Sequence, residues 1–508
     1  MFGGFFALWI EKVYVFLLAS RLLSGLIELN DGSKSSLNSR DERPLYGEGV
    51  KAMARRLIAV GGLLAVALML GATGSPAHAQ PAPWQADKGY ANGIPIGTKI
   101  TQANWQQYQQ YMPESMIHLW KGDLFWHMPK DIEIDVGPTR HLFPPKPFRE
   151  DTEKYGSQTK LVKAPEGGYI PSGYVAGSPF ANPLAGDKDL IGTRLYYNNY
   201  YRPAPVVEEA PNCSYTLDKY ANFTRTADSN IVFSQMTHLS EPGYPREVPG
   251  NNGYYFAEYF EQTAPEQGKY FASVTMTWDD PSKLDELYEF IPSLRRSLRV
   301  SQAARCAPLF GTDFTYEDAQ EGAPRMGQLF DNVYLGEKKI LTLLHGAPES
   351  FDTCGTPTSL DPRYYYFGMK GVVPFPNPGS GPWEVRDVYM VQMTRLASQS
   401  RGYCFGKRVL YVDKENYFPD HTEIWDRAGN LYKWIVVFAY PAILPGLGME
   451  GQEVTITGPN TGYVVNFQDQ HATVFIGLHV CVDHECDSQG FSNISRYAQP
   501  DGLMKIMQ

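Results

Sequence analysis

Strict alternation of apolar and polar residues gives the strongest secondary-structure signal in this chain. From Tyr270 to Trp278 every second residue is Tyr, Ala, Val, Met or Trp, and Ser and Thr occupy most of the positions between them. Period-two alternation with β-branched residues predicts a strand that has one apolar side. Tyr254–Gln262 precedes this strand across a short loop that contains Pro and Gly, so the two segments are expected to form a hairpin.

Further strands are predicted in the last third of the chain. The segment Trp383–Val391 alternates less cleanly, and three more apolar segments follow it: Lys407–Asp413, Thr422–Asp426 and Asn430–Phe438. Short strands that are joined locally indicate an antiparallel meander rather than βαβ units. A sheet of this size must curl, and its apolar face must be covered or filled. A curled, aromatic-lined sheet can hold a hydrophobic ligand, although a dry packed core produces the same alternation.

Residues 80–210 differ from the strand-rich part because they are rich in Pro, Gly and Tyr and have few long periodic stretches. We expect them to wrap around a main curved sheet formed by residues 211–508, within a single domain. Gln102–Met112 is predicted to be helical. The tyrosine-rich stretch Leu195–Arg202 is expected to serve packing.

The start of the chain carries the features of an export signal. Two arginines follow Met53, an apolar run extends over Leu57–Leu70, and an Ala-His-Ala triplet ends at Ala79. This order is typical of a secretory signal peptide. We therefore predict that residues 53–79 are a signal peptide cut after Ala79, and that residues 1–52 are a spurious upstream extension. A membrane anchor is the weaker alternative, because a spanning helix needs ~20 apolar residues.

Composition narrows the class of protein. The formal net charge of −10 disfavours nucleic-acid binding, and an aromatic content of 13%, with 33 Tyr, favours strands and aromatic-lined surfaces. All six cysteines follow the predicted signal peptide, which suggests disulfides formed in an oxidising compartment. The closely spaced Cys481 and Cys486 are the one pair that we predict. With His479 and His484 they would also suit zinc, but thiolates are hard to keep reduced outside the cytoplasm.

Motifs for catalysis are scarce. Gly446–Gly451 matches the dinucleotide-binding pattern, but a strand-like segment follows it where a helix is required, so we interpret it as a loop. The sequence has no nucleophile elbow, no zinc-protease motif and no phosphate loop. We predict a protein that is not an enzyme and has no cofactor and no metal site. An exported hydrolase of hydrophobic esters is the less favoured alternative, since catalytic triads assemble in space.

Residues 278–318 form the most specific block of the sequence. The block reads as strand, turn, strand and then a glycine turn that leads towards a helix start at Asp313 or Thr315. Acidic residues in a first helical turn favour the helix dipole. Arg295 and Arg296 lie upstream of these acids, and we expect them to pair with Asp313, Glu317 or Asp318 and to clamp the structure. The residues to which we assign this structural role are Arg295, Arg296, Gly311, Asp313, Glu317 and Asp318.

This block resembles the periplasmic LolA/LolB-type superfamily, in which an Arg-Arg strand precedes a Gly-x-Asp-Phe-x-x-Glu-Asp segment. The chain more closely resembles the family called domain of unknown function 1329, through Ile94–Ile100, Tyr174–Phe180, Asn198–Arg202, Tyr389–Val391, Lys407–Asp413 and Trp425–Leu431. The resemblance implies a mainly β fold, an incomplete and strongly curved antiparallel β-barrel with a few plugging helices. It also implies carriage of acyl chains or other hydrophobic cargo in the periplasm, often beside inner-membrane export pumps.

From the alternation and the resemblance together we predict a periplasmic carrier for a lipid-like ligand or for lipoprotein acyl chains. It would work with an inner-membrane export pump or an outer-membrane partner. A non-carrier accessory protein that docks on an export complex is the alternative. The apolar strand faces would line the cavity, although a shift of one residue would turn the other face inward. The predicted lining residues are Tyr270, Val274, Met276, Trp278, Trp383, Val385, Tyr389 and Val391.

A chain whose translation begins at Met53 is expected to be exported and cut between Ala79 and Gln80, because the small residues of the triplet suit the signal peptidase. N-terminal sequencing of the protein from a periplasmic extract measures the cut. A mature N-terminus upstream of Met53 would contradict the prediction.

Overall fold

The alternating segments of the sequence assemble into one large antiparallel sheet. The computed structural model describes residues 89–301, 305–309, 311–318, 323–344, 365–366, 370–438, 461–478 and 481–507. These residues belong to one compact unit, Ala77–Gln508. The predicted signal peptide, the upstream extension and the glycine motif Gly446–Gly451 lie outside the described residues.

The main sheet has 14 strands, and three two-stranded sheets accompany it. In chain order the strands are β1 (Lys99–Thr101), β2 (Glu133–Asp135), β3 (Lys160–Lys163), β4 (Tyr169–Ser172), β5 (Val207–Leu217), β6 (Phe223–Gln235), β7 (Tyr254–Ala264), β8 (Ala272–Trp278), β9 (Glu286–Ile291), β10 (Arg296–Arg299), β11 (Phe330–Thr342), β12 (Tyr365–Tyr366), β13 (Phe375–Pro376), β14 (Glu384–Arg395), β15 (Lys407–Asp413), β16 (Pro419–Trp425), β17 (Leu431–Phe438), β18 (Thr461–Asn466), β19 (His471–Gly477) and β20 (Cys481–Val482).

Helices are short by comparison. They are α1 (Glu114–Lys121), α2 (Lys146–Tyr155), α3 (Ile191–Tyr200), α4 (His484–Gln489), α5 (Ile494–Tyr497) and α6 (Pro500–Leu503). Single 3₁₀ turns occur at Trp105–Gln107, Gln109–Tyr111, Lys188–Leu190, Pro292–Leu294, Tyr316–Asp318, Gly327–Leu329, Pro378–Ser380 and Ala397–Gln399. Among the described helices none is long and apolar enough to cross a membrane.

Two meanders build the main sheet. Consecutive strands pair from β5 to β10 and again from β14 to β19, and β5 pairs with β19 to join the two meanders. β11 pairs with β14, and β20 adds a short pairing to β5. Within the described residues the sheet is not closed, and β10 and β11 are its edges. The mainly β fold, an incomplete antiparallel barrel, is therefore confirmed.

The predicted helix Gln102–Met112 is wrong. The segment forms two 3₁₀ turns instead, and the α-helix α1 begins only after Pro113. The backbone N–H of Thr101 donates to Asn104 Oδ1 (2.8 Å), a local side-chain bond that competes with helix formation. Met112 precedes the proline and is extended, as a residue before proline usually is.

The sheet has two buried faces, which different parts of the chain cover. Neighbouring residues of a strand point to opposite sides of a sheet. We call the face that carries Trp434 and Val465 the outer face, and the face that carries Ile435 and Val464 the inner face. The N-terminal segment packs on the outer face of β5 and β17–β19, where its buried residues include Trp105, Met116, Leu119, Trp120 and Trp126. The tail 481–507 packs on the outer face of β6–β9.

Helix α3 fills the inner face of the second meander. Its ten residues are all buried, and the tyrosines at 196, 197 and 200 belong to one cluster with Leu410, Ile424 and Val464. The hydroxyl of Tyr197 donates to Tyr169 O (2.7 Å). The hydroxyl of Tyr196 likewise donates to Pro324 O (2.7 Å), so the tyrosine-rich stretch serves packing in this structure.

A buried histidine on β16 makes hydrogen bonds both to the edge strand β11 and to a core tryptophan on β17. His421 Nε2–H donates to Leu341 O (3.0 Å), and its Nδ1 accepts from the indole N–H of Trp434 (3.2 Å). These partners require the neutral imidazole, because only one ring nitrogen then carries a proton. Burial lowers the pKa of His421 to about 3.

His421 is expected to make the fold sensitive to acid. Its unfolded pKa of 6.5 lies above its folded pKa, so below pH 6.5 the unfolded chain binds a proton that the folded chain does not. Stability therefore falls with falling pH by up to about 1.4 kcal/mol per pH unit from this residue. For His421→Phe we expect a lower free energy of unfolding at pH 7, and a smaller decrease of that free energy between pH 6.5 and 4. Urea unfolding at a series of pH values measures both quantities. The same pH dependence in variant and wild type would show that His421 does not cause the acid sensitivity.

Candidate functional site

A cavity of about 320 Å³ lies on the inner face of the first meander. The strands β5–β9 form its floor, with β17 and β19 at one side, and the end of α3 and several described residues between 305 and 325 complete the wall. The first meander contributes Glu208, Ala210, Asn212, Ser214, Ala227, Ile231, Phe233, Phe256, Glu258, Phe260, Ser273, Thr275, Asp285 and Leu287. The remaining wall includes Arg202, Arg305, Leu309, Phe314, Tyr316, Arg325, Val437 and Phe475.

Aromatic rings supply the apolar part of the lining. Phe233 and Phe256 lie on neighbouring strands with ring centroids 6.1 Å apart. Phe314 meets Phe475 edge to face at 5.6 Å, so a ring from the covering segment packs on a ring from β19. Such contacts leave an apolar surface that accepts hydrocarbon without requiring a specific shape.

Four charged residues of the lining form ion pairs with one another. Arg325 pairs with Glu258, and Arg305 contacts Asp285 (3.3 Å) and Glu317 (3.1 Å). Burial by itself would lower the pKa of Arg305, but the two carboxylates hold that pKa above its ordinary value. The cavity therefore combines an aromatic floor with a small number of fixed, paired charges.

A buried carboxylate holds the covering segment 311–318 on the sheet. Asp318 is fully buried and lies 2.9 Å from Arg408 Nη1 and 3.6 Å from Lys433 Nζ. The N–H and hydroxyl of Thr315 both donate to Asp318 Oδ2, which closes the turn. Because Phe314 and Tyr316 line the cavity, this clamp also places part of the cavity wall.

Asp313 makes a second attachment of the same segment. Its carboxylate contacts His471 Nδ1 (2.6 Å) and accepts from Thr473 Oγ1 (2.9 Å) and Asn466 Nδ2 (3.1 Å). Its carbonyl accepts from Lys433 Nζ (2.6 Å). The hydrogen bond to Asp313 raises the pKa of His471.

The structure corrects the partners predicted for these acids. Arg295 and Arg296 are exposed at the tight turn between β9 and β10, where Arg295 has a left-handed φ of 49°. The hairpin register places Arg296 opposite Ile291, so both arginines stay at the turn while the acids lie inside. The acids bond instead to Arg305, Arg395, Arg408, Lys433 and His471. Gly311 has a φ of 74° and forms the glycine turn.

The residues predicted to line a cavity lie elsewhere. Val274 and Met276 are buried on the outer face against the C-terminal tail, in a cluster with Leu503 and Ile506. Tyr270 packs beside this cluster, and its φ of 69° places it before β8. Ring contacts join Trp278 to Tyr254 at 4.2 Å.

The predicted residues of β14 also pack against other parts of the chain. Trp383 and Val385 belong to the cluster of the N-terminal segment, whereas Val391 and Tyr389 pack in the α3 cluster. None of the eight predicted residues is among the described lining residues. The inner face of β8 instead presents Ser273 and Thr275, so the side with the stronger apolar signal is the side that the tail covers.

Two disulfides join pairs of described cysteines around the sheet. Cys481 and Cys486, the predicted pair, form a disulfide (S–S 2.07 Å) between β20 and α4. Their sulfurs are therefore not thiolate ligands for zinc in this structure. Cys306 and Cys404 form the second bond, across 98 residues. It ties the chain just upstream of the covering segment to the loop before β15, and sequence spacing did not indicate it.

Comparison with known proteins gives the following matches. The family model described as "Protein of unknown function (DUF1329)" matches residues 99–478. A search of curated proteins found no significant match. Similar solved structures include an outer membrane lipoprotein-sorting protein domain from Vibrio parahaemolyticus, with 13% identity, TM-score 0.38, and coverage of 60% of this chain and 96% of that chain.

Two other solved structures are similar to this chain at the same level. A DUF1329 family protein from Desulfovibrio piger has 12% identity and a TM-score of 0.39, with coverage of 61% of this chain and 99% of that chain. A LolA superfamily protein from Nitrosomonas europaea has 10% identity and a TM-score of 0.31, with coverage of 58% and 96%.

Removing the clamp carboxylate is expected to destabilise the protein strongly. Asp318→Ala removes the carboxylate that lies beside the buried Arg408 and Lys433, and breaking a buried pair in this way costs about 3–5 kcal/mol. Asp331→Ala, an exposed aspartate on β11, is the control and should stay within about 0.5 kcal/mol of wild type. Denaturant unfolding measures both. If the free energy of unfolding decreased as little in Asp318→Ala as in the control, the clamp would not hold the segment.

Proposed function

This chain belongs to the DUF1329 family, and from that premise we propose that it is a periplasmic carrier that holds a hydrophobic, lipid-like molecule in the inner-face cavity. The observation that carries the proposal is the cavity itself. Its volume of about 320 Å³ falls within the ~300–1,000 Å³ typical of small-molecule sites. Its floor offers Ile231, Phe233 and Phe260, which bind hydrocarbon by burial alone.

The arrangement of the sheet supports carriage rather than simple packing. The outer face is covered by the N-terminal segment and by the tail, and α3 fills the inner face of the second meander. The inner face of the first meander differs because the cavity stands between its strands and the covering segment. A cavity at this place can hold a ligand without displacing any element of the described core.

The lining suits binding more than chemistry. Its hydroxyl and amide groups, such as Asn212, Ser214, Ser273 and Thr275, lie beside the aromatic floor and can orient a polar end of a ligand. A nucleophilic serine needs a neighbouring base, and the described lining residues include no histidine. We therefore propose a binding function for this cavity.

The compartment that we propose is the periplasm. Disulfides persist in oxidising compartments and are rare in the cytosol, and two are described here, Cys306–Cys404 and Cys481–Cys486. The predicted signal peptide, residues 53–79, agrees with this assignment. A carrier in this compartment needs a donor and an acceptor, and we propose an inner-membrane export pump or an outer-membrane protein as the class of partner.

Filling the cavity is expected to reduce ligand retention strongly. Thr275 lies on the inner face of β8 and lines the cavity, so Thr275→Trp places an indole in the space available to the ligand. Thr224→Trp is the matched control, because Thr224 is exposed on β6 and lies outside the described lining. Mass spectrometry of organic extracts from the purified proteins measures lipid per mole of protein.

Wild type and Thr224→Trp should retain similar amounts of lipid, and Thr275→Trp at least about tenfold less, which corresponds to ~1.4 kcal/mol. Thermal unfolding checks that both variants are folded. If wild type carries no lipid and binds no hydrophobic fluorescent probe, the carrier proposal fails. Equal retention by the two variants would place the ligand outside this cavity.

A further inference from the structure

Three neighbouring turns at one end of the first meander carry an excess of positive charge. Every second turn of an antiparallel meander lies at the same end of the sheet, and here these are 218–222, 265–271 and 292–295. We call these turns, together with the adjacent Arg296, the basic tips. Their basic residues are Lys219, Lys269, Arg295 and Arg296, and their acidic residues are Asp218 and Glu266.

The opposite end of the same meander has the reverse balance. Its turns 236–253 and 279–285 carry the basic residues Arg246 and Lys283 and the acidic residues Glu241, Glu247, Asp279, Asp280 and Asp285. Positive charge is therefore concentrated at one end of this meander, although the formal net charge of the whole chain is −10.

The second meander shows no such excess at the end where the basic tips lie. The pairing of β14–β19 and of β19 with β5 places the turns 396–406, 426–430 and 467–470 at that end. These turns carry Arg401 and Arg427 against Asp426 and Asp469, so their charges balance. Among the turns compared, the positive charge is specific to the basic tips.

Most of the basic side chains at the tips are available to a partner. Lys219, Arg295 and Arg296 are exposed and form no ion pair within the described residues, whereas Lys269 pairs with Glu266 at 3.5 Å. The carboxylate of Asp218 is engaged by its own turn, since it accepts from the backbone N–H groups of residues 220 (2.8 Å) and 222 (2.9 Å). The tips therefore present free cations to the solvent.

Each basic tip also carries an aromatic or aliphatic side chain beside its cation. Tyr220 is 67% exposed and Leu294 is 50% exposed. Lys219 Nζ lies 5.3 Å from the ring centre of Tyr220, and Lys269 Nζ lies 5.1 Å from that of Tyr270. Such pairs suit the boundary between lipid headgroups and hydrocarbon, because the ring enters the apolar side while the polar ends stay in water.

The cavity reaches the base of the middle tip. Ser273 lies two residues after the tip 265–271, and Ser273 and its partner Phe260 on β7 both line the cavity. Two residues of a strand span about 7 Å. A surface in contact with the basic tips would therefore lie next to one end of the cavity.

We propose that the basic tips dock this protein on the surface of an anionic lipid bilayer. Lys219, Arg295 and Arg296 contact the headgroup phosphates, and Tyr220 and Leu294 enter the interface between headgroups and hydrocarbon. Three protruding turns meet a flat layer of headgroups more readily than a pocket of a folded protein. This surface goes beyond the proposed carrier function and does not depend on it, because its partner is the bilayer and not the molecule in the cavity.

The acidic net charge of the chain does not prevent this contact. Attraction to a charged membrane falls off within a Debye length, which is ~8 Å at physiological ionic strength. The strands β6–β9 that separate the two ends have at least six residues, or about 20 Å. The acidic residues at the far end are therefore screened, and the charge asymmetry orients the molecule with its tips towards the membrane.

Flotation of the mature protein with lipid vesicles tests the proposal. The anionic vesicles are phosphatidylcholine with about 30% phosphatidylglycerol, and pure phosphatidylcholine vesicles are the neutral comparison. At about 50 mM salt we expect wild type to partition at least about tenfold more strongly to the anionic vesicles, and raising the salt to about 500 mM should abolish that preference.

Two double variants separate the tips from net charge. Arg295→Glu with Arg296→Glu reverses two charges at a tip, and partitioning to anionic vesicles should fall at least about tenfold. Arg401→Glu with Arg427→Glu is the matched control, because it changes the net charge equally at two exposed arginines of the second meander, and it should lower partitioning by at most about threefold.

A second pair of variants tests the aromatic contribution. Tyr220→Ser removes the most exposed ring of the tips and should lower partitioning about threefold or more, because the ring no longer enters the interface. Tyr90→Ser, at a tyrosine of the N-terminal segment that is 41% exposed, is the control and should partition as wild type does.

Absence of wild type from both kinds of vesicle, or equal partitioning to both, would overturn the inference. Equal losses in the two double variants would also overturn it, because binding would then follow net charge. Thermal unfolding checks that each variant is folded, and Lys219→Glu with Lys269→Glu, for which we expect the same tenfold loss, replaces the arginine variant if that one does not fold. Lipid retention by the mature protein is measured separately, so failure of docking leaves the carrier proposal standing.

Discussion

The backbone ladder between β5 and β19 joins the two meanders, and both faces of the sheet depend on it. The ladder runs from Ala472 opposite Leu217 to Gly477 opposite Asn212. On the outer face it brings Val474 next to Tyr215 beneath the N-terminal segment. On the inner face it brings Phe475 next to Ser214, and both line the cavity. One set of backbone bonds between strands far apart in sequence therefore positions the core and the site together.

The covering segment is held by charge rather than by a large apolar surface. Arg408 and Lys433 project from the inner faces of β15 and β17 and meet Asp318, while Asp313 reaches β18 and β19. Buried charges of this kind are costly unless each is paired, so they restrict the segment to one position. Hydrophobic packing alone would favour collapse of the segment onto the phenylalanines. Ion pairs and hydrogen bonds instead hold the segment at a fixed distance from the sheet, which is compatible with a cavity between the two.

The local sequence pattern predicted strands well and predicted their surroundings poorly. β15 has the predicted bounds, and the hairpins on either side of Ala264–Gly268 and of Gly429 form as expected, because alternation and turn residues are local properties. Alternation could not say which side of β8 faces the cavity, since an apolar face looks the same under a tail as around a ligand. The arginine partners of the acids and the Cys306–Cys404 bond depend on contacts between distant segments, which spacing does not encode.

The Cys306–Cys404 bond adds a covalent link beside the charge clamp. Cys306 precedes the covering segment, and Cys404 lies in the loop before β15, the strand that carries Arg408. A disulfide restricts the unfolded chain more than the folded one. The bond therefore keeps Asp318 and Arg408 near each other even before the sheet between them has formed.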